Sequence, residues 1–217
     1  MIAGEYTAQQ AYRAFNAQLL AEETPADDEI VLTSGKSYSN VFHANGGSAS
    51  LSVMANTLRG VYGTDVLLAT ANSFTGSVLQ ADYNKEMAAS MIMPNGLMSR
   101  QRTMTGAELK ETVRAFVEGC EGGFVPFNRG SLPVVSGIAV EVKEAGGSYT
   151  LTGITRNGQP LGDDDTVTVT CLAAEKQMEA LLASESGTSL DGDTWVKNRW
   201  RDHVSGGGAA LAEPETT

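Results

Sequence analysis

The sequence predicts a mixed α/β (α+β) fold, a mixed β-sheet flanked by helices. Three observations carry this expectation. Helical and strand periodicities alternate along the 217 residues rather than segregating. The segment DVLLAT, Asp65 to Thr70, is a continuous apolar run of strand length, suited to a sheet covered on both faces. Two tight-turn pairs, Gly146-Gly147 and Asn157-Gly158, punctuate alternating segments late in the chain, as hairpins require.

Thr7 to Glu23 reads as a helix with Ala8, Tyr12, Phe15 and Leu19 on one face, and Thr24 to Asp28 (TPADD) breaks it. EIVLTS, Glu29 to Ser34, is a short strand. HANGGSAS, His43 to Ser50, is a loop leading into a helix with Leu51, Met54, Leu58 and Val61 aligned. After DVLLAT, Asp82 to Met93 reads as helical and stops at Pro94, and Leu97 to Met104 is extended.

TMTGAELKETVRAFVEG, Thr103 to Gly119, is the best-punctuated stretch. Thr105 and Glu108 form a capping box, and Leu109, Val113, Phe116 and Val117 make one apolar stripe. Gly119 is placed to close the helix. Ile138, Val140 and Val142 then alternate with polar neighbours, Thr166 to Thr170 is a strand, and Ala173 to Ala183 is helical. Val196, Trp200 and Val204 mark a last helix. The predicted organisation is an N-terminal helix and linker (1–28), a main domain (29–204) and a flexible glycine-rich tail (205–217).

The net charge of −11 disfavours nucleic-acid binding, which needs basic surface to displace counterions, and disfavours anionic membranes. No run of about 18 apolar residues is present, so no membrane span is predicted. MIAGEYTAQQAY lacks a basic stretch followed by an apolar core, so no signal peptide is expected there. The two cysteines, Cys120 and Cys171, read as small buried hydrophobes, and two histidines leave little material for a metal centre.

Two apparent signals fail on spacing. Ser34 to Ser37 (SGKS) ends like a phosphate-binding loop, but Ile30 stands where that loop needs glycine. Asp163, Asp164 and Asp165 lack calcium-loop spacing and read as a solvated turn. GxSxG is absent. No self-sufficient catalytic set is present in the sequence.

The order of segments carries more than any one of them. SLSVMANTLRGVYGTDVLLATANSFTG, MPNGLMSRQRTMTGAELKETV and PVVSGIAVEVKEAGGSYTLTGITRNGQPLGDDDTVTVT follow one another between about Ser50 and Thr170. The series resembles the C-terminal, substrate-binding domain of the 5′-nucleotidase family. The resemblance implies a nucleoside- or nucleotide-binding domain of a phosphoester hydrolase, not catalytic by itself. It further implies a metallophosphatase partner domain, in cis or in trans, that would carry the divalent metals; no cofactor is expected in this chain. Family members are often exported, which would place a longer chain bearing this segment outside the cytoplasm.

The same resemblance puts the family's substrate loop on Asn72 to Gly76 and the turn after it on Pro94 to Ser99. It implies Asn72, Phe74, Asn95 and Gly96 as substrate-binding positions, with no catalytic or metal-binding residue here. The family's arginine position is Gly76, which cannot fork hydrogen bonds to an anion. No aromatic follows Pro94, and DGDTW, Asp191 to Trp195, resembles a displaced remnant of the family's second aromatic segment. Phe74, Phe124, Phe127 and Trp195 are substitute rings for stacking, or pins that hold loops to the core. Arg100 and Arg102 share one face of an extended segment, as an anion site or as solvated charges. The alternative function is a degenerate binding or structural module without nucleotide recognition.

Overall fold

The computed structural model describes residues 29–41, 47–93, 97–118, 133–145, 148–173, 188–189, 194–206 and 210–213. The predicted helix at Thr7–Glu23, the helical expectation beyond Ala173 and the closing Gly119 lie outside them, as do Cys120, Phe124 and Phe127.

Among the described residues the central feature is a six-stranded mixed sheet. Strand β2 (Val66–Thr70) runs parallel to β9 (Thr166–Ala173) and antiparallel to β5 (Pro133–Ser136). Strand β4 (Met98–Thr105) lies antiparallel on the other side of β9, over the whole register from Met98–Ala173 to Thr105–Thr166. Two short strands, β10 (Thr188–Ser189) and β11 (Thr194–Trp195), pair with the outer side of β4. A second sheet joins β6 (Ala139–Ala145), β7 (Ser148–Arg156) and β8 (Gln159–Pro160), and a third joins β1 (Ile30–Ser34) to β3 (Ala81–Asn84).

All five residues of β2 are buried, as an apolar run without alternation demands. Leu67 and Ala69 face one core and Val66 and Leu68 the other. The first core is closed by helix α1 (Ala49–Tyr62) through Leu51, Met54 and Leu58, and by helix α4 (Val196–Ser205) through Trp200 and Val204. The second is closed by helix α3 (Gly106–Glu118), whose Leu109, Val113, Phe116 and Val117 are all buried. Burying side chains of this size stabilises by about 1.5–3 kcal/mol each before conformational entropy is counted.

The capping box of α3 is present. Thr105 Oγ1 accepts from the Glu108 amide at 3.2 Å, and a Glu108 carboxylate oxygen accepts from the Thr105 amide at 2.7 Å. The acidic turn has a structural use. The carbonyls of Asp165 and Asp163 accept from the Gly106 and Ala107 amides at 2.7 and 3.0 Å, satisfying the first orphan donors of α3. The Asp163 carboxylate also meets Lys110 at 2.6 Å.

One expected helix is mostly something else. Of the segment Asp82 to Met93, only Lys85–Ala89 (α2) is helical, while Asp82, Tyr83 and Asn84 pair with β1. Asn84 explains the boundary: its side chain accepts from the Met87 amide, so it caps α2 and remains extended itself.

Candidate functional site

The loop after β2 begins as one 3-10 turn, Ala71–Ser73, whose exit amide at Phe74 donates to the Ala71 carbonyl at 3.3 Å. It is clipped to the segment after α2. The Thr75 amide donates to the Met91 carbonyl at 3.1 Å, Thr75 Oγ1 donates to the Ser90 carbonyl at 2.7 Å, and the Met93 amide donates to the Ser73 carbonyl at 3.1 Å. Phe74 and Ile92 add an antiparallel bridge. Two main-chain bonds and one hydroxyl therefore fix residues 73–75 against residues 90–93, so long-range pairing adds to the loop's own turn.

The far end of the loop rests on the start of α1. Ser50 Oγ donates to the Gly76 carbonyl at 2.9 Å, the Asn40 amide donates to Ser77 Oγ at 3.2 Å, and the Tyr38 amide donates to the Val78 carbonyl at 2.7 Å. Gly76 has φ +44°, a left-handed conformation that side-chain-bearing residues rarely adopt. A Cβ there would meet no neighbour, so backbone conformation rather than space favours glycine at this position.

Of the positions expected to bind substrate, Asn72 is exposed in the middle of the 3-10 turn. Phe74 is 6% exposed and belongs to the α1 core, so its ring anchors the loop and presents no open face. Asn95 and Gly96 lie outside the described residues. The structure thus joins Asn72 and Phe74 on one clipped loop.

Two large apolar side chains on the segments flanking residues 94–96 and pairing with β4 remain outside the core: Met93 is 45% exposed, and Trp195 is 49% exposed. Trp195 sits opposite Met98 on β4, and the next amide, of Val196, donates to the Leu97 carbonyl at 3.0 Å. The β11 pairing therefore brings Thr194 and Trp195 to the start of β4, opposite Ser99 and Met98. Trp200, one helical turn on, is fully buried and donates from Nε1 to the Ala88 carbonyl at 2.7 Å.

Arg100 and Arg102 are half-buried on β4, in register with Cys171 and Val169. Burial pushes the Cys171 thiol up to about 12, against the opposing charge of Arg102, so this cysteine is an inert packing residue. Lys36, in the SGKS segment, pairs with Glu213 at 2.7 Å. Among the described residues no group of three His, Cys, Asp or Glu side chains is arranged to hold a metal ion, and no helix is long and apolar enough to cross a membrane.

No protein-family model matches the sequence, and no curated protein matches it by sequence. Solved structures do match. A 5′-nucleotidase precursor from Thermus thermophilus superposes with a TM-score of 0.63 at 14% identity, over 96% of this chain and 41% of its own. The NAD nucleotidase of Haemophilus influenzae gives 0.63 at 15% identity, over 92% of this chain and 39% of its own. A sulfate thiohydrolase from Thermus thermophilus gives 0.64 at 12% identity, over 94% of this chain and 38% of its own. The fold is that of the 5′-nucleotidase C-terminal domain. The chain spans about two fifths of the length of these neighbours. In this 5′-nucleotidase-like domain the clipped loop follows a buried central strand and faces away from both cores at Asn72.

Proposed function

We propose that this chain is the substrate-binding domain of a 5′-nucleotidase-type hydrolase, with its ligand at the loop Ala71–Gly76 and at Asn95 and Gly96. The observation that supports this most is the fold likeness over nearly the whole chain, which spans only part of each neighbour. The chemistry of bond cleavage, and the divalent metals it needs, would reside in a metallophosphatase domain in cis or in trans.

Asn72 is the polar contact of the site, since a carboxamide both donates and accepts. Trp195 is the exposed ring best placed to stack on a base or another flat group, a contact worth about 1–3 kcal/mol. Asn95 and Gly96 are the other two expected contacts. Among chains of this fold one is an NAD nucleotidase and another a sulfate thiohydrolase, so the ligand class follows from these side chains rather than from the fold.

A specific pair of observations favours a second function, a degenerate module without nucleotide recognition. Gly76 offers no guanidinium for an anion, and Phe74 is committed to the core. Calorimetric titration of the purified chain with adenosine, AMP and other nucleosides separates the two. Binding that Asn72→Ala abolishes supports the first, whereas silence across the panel supports the second. Phosphatase activity of this chain alone with added divalent metal would overturn its non-catalytic role.

A further inference from the structure

Residues 210–213 lie against α1, on elements distinct from the loop at Asn72. The Ala212 amide donates to Thr57 Oγ1 at 2.9 Å, and Asn56 Nδ2 donates to the Glu213 carbonyl at 3.0 Å. Leu211 packs half-buried on the α1 core, and the Glu213 carboxylate meets Lys36 Nζ at 2.7 Å.

Both reading side chains are held from behind. Asn56 Oδ1 accepts from Ser136 Oγ at 2.5 Å, and that hydroxyl accepts from Arg59 Nε at 2.8 Å. Thr57 Oγ1 donates to the Val53 carbonyl at 2.7 Å, leaving its lone pairs for the Ala212 amide. Asn56 and Thr57 are buried with the strap in place, so the bonds they make to it are shielded from water.

Two features define what such a surface accepts. The amide of one residue and the carbonyl of the next are groups that every peptide carries, so these two bonds read main chain and not sequence. Selectivity comes from the apolar seat of Leu211 and from Lys36, which asks for an acid two residues later. The structure assigns to α1 a peptide clamp, formed by Asn56, Thr57 and Lys36, that this chain fills with its own residues 210–213. The same clamp takes a peptide carrying a leucine, a small residue and an acid in trans once the chain's own strap is displaced.

The test uses the full chain with Leu211→Asp, which weakens the strap from within, and a fluorescent peptide carrying the sequence from Gly208 to Glu215. Anisotropy is expected to show binding to this variant and much weaker binding to the wild type, whose tethered strap competes at an effective concentration of about millimolar. Adding Thr57→Val is expected to weaken the peptide about tenfold, the loss of one buried hydrogen bond. A peptide with aspartate in place of leucine should not bind.

Absence of binding to a folded Leu211→Asp chain, or binding indifferent to Thr57→Val, overturns the assignment. Hydrogen exchange on the wild type tests it without substitution. The Ala212 amide should exchange through local opening, faster than the Leu58 amide in the middle of α1. Equal protection of the two would mean that the strap leaves only when the domain unfolds, and would overturn exchange in trans.

Discussion

The Gly106 amide donates to the Asp165 carbonyl at 2.7 Å, and the α-carbon that follows it leaves no room for a side chain. A Cβ on Gly106 would lie 1.8 Å from the Gly162 carbonyl oxygen, a main-chain atom that cannot swing aside. Helix propensity alone favours alanine over glycine by about 1 kcal/mol. The steric cost wins, so Gly106→Ala is expected to destabilise the fold by about 1–3 kcal/mol. Urea denaturation at constant slope measures it, and an unchanged or raised midpoint would refute the close approach.

Asp65 gives a pH-dependent prediction. Partial burial pushes its carboxyl up, but bonds from the Thr168 amide and hydroxyl, with the charges of Arg156 and Arg59, outweigh that and hold it below the ordinary value. A carboxyl depressed on folding contributes stability that is fully present above its unfolded value and lost as pH falls through the folded one. The stability difference between wild type and Asp65→Asn is therefore expected to be largest near pH ~7 and to shrink towards pH ~3. A gap that stays constant over that range would contradict it.

The start of α3 can be weakened without touching either core. Thr105→Ala removes the acceptor for the Glu108 amide, and Glu108→Ala removes the reciprocal one. Each is expected to cost about 0.5–2 kcal/mol. The double variant should cost less than the sum, because the two bonds form one box. Thermal melts of the four proteins provide the cycle.

The two tryptophans make a built-in pair of reporters. Trp195 is 49% exposed and Trp200 is fully buried, so acrylamide should quench only part of the emission, and Trp195→Phe should abolish the quenchable part. If Trp195 stacks on ligand, nucleoside titration will shift emission in the wild type and not in Trp195→Phe. Trp200→Phe is expected to cost about 1–3 kcal/mol through a lost bond to Ala88 and a cavity.

Much of the fold was legible where a local pattern has one physical outcome. DVLLAT reads as a doubly covered strand because polar residues are missing from both parities, and β2 is buried throughout. Asn157-Gly158 predicts a primed turn, and the two residues have φ of 52° and 74°. Where two outcomes compete, the pattern was not enough. Tyr83 fits a helix stripe as well as a strand, and only pairing with β1, where Leu32 is its partner far earlier in the chain, selects the strand. Ile138, Val140 and Val142 alternate as one face should, but burial fades along that face, from a buried Ile138 through a half-buried Val140 to a Val142 that is 38% exposed.

For the Asn72 loop, the place after β2 was legible and the construction was not. The loop at Asn72 follows from segment order, yet the bonds that clip it to residues 90–93 involve main-chain carbonyls of Ser73, Ser90 and Met91, which carry no signature in the sequence. DGDTW offers Trp195 as a stacking ring or as a pin to the core, and the sequence leaves both open; in the fold it stands opposite Met98 and is 49% exposed.

Strand β2 is a party wall. Leu67 and Ala69 look into one apolar compartment, Val66 and Leu68 into the other, and neither compartment can lose that wall without exposing the second. The layers on its two sides should therefore melt together, in a single cooperative transition, although they share almost no side chains. The loop that holds Asn72 is attached directly to this wall, so the candidate site inherits the rigidity of the last part of the domain to come apart.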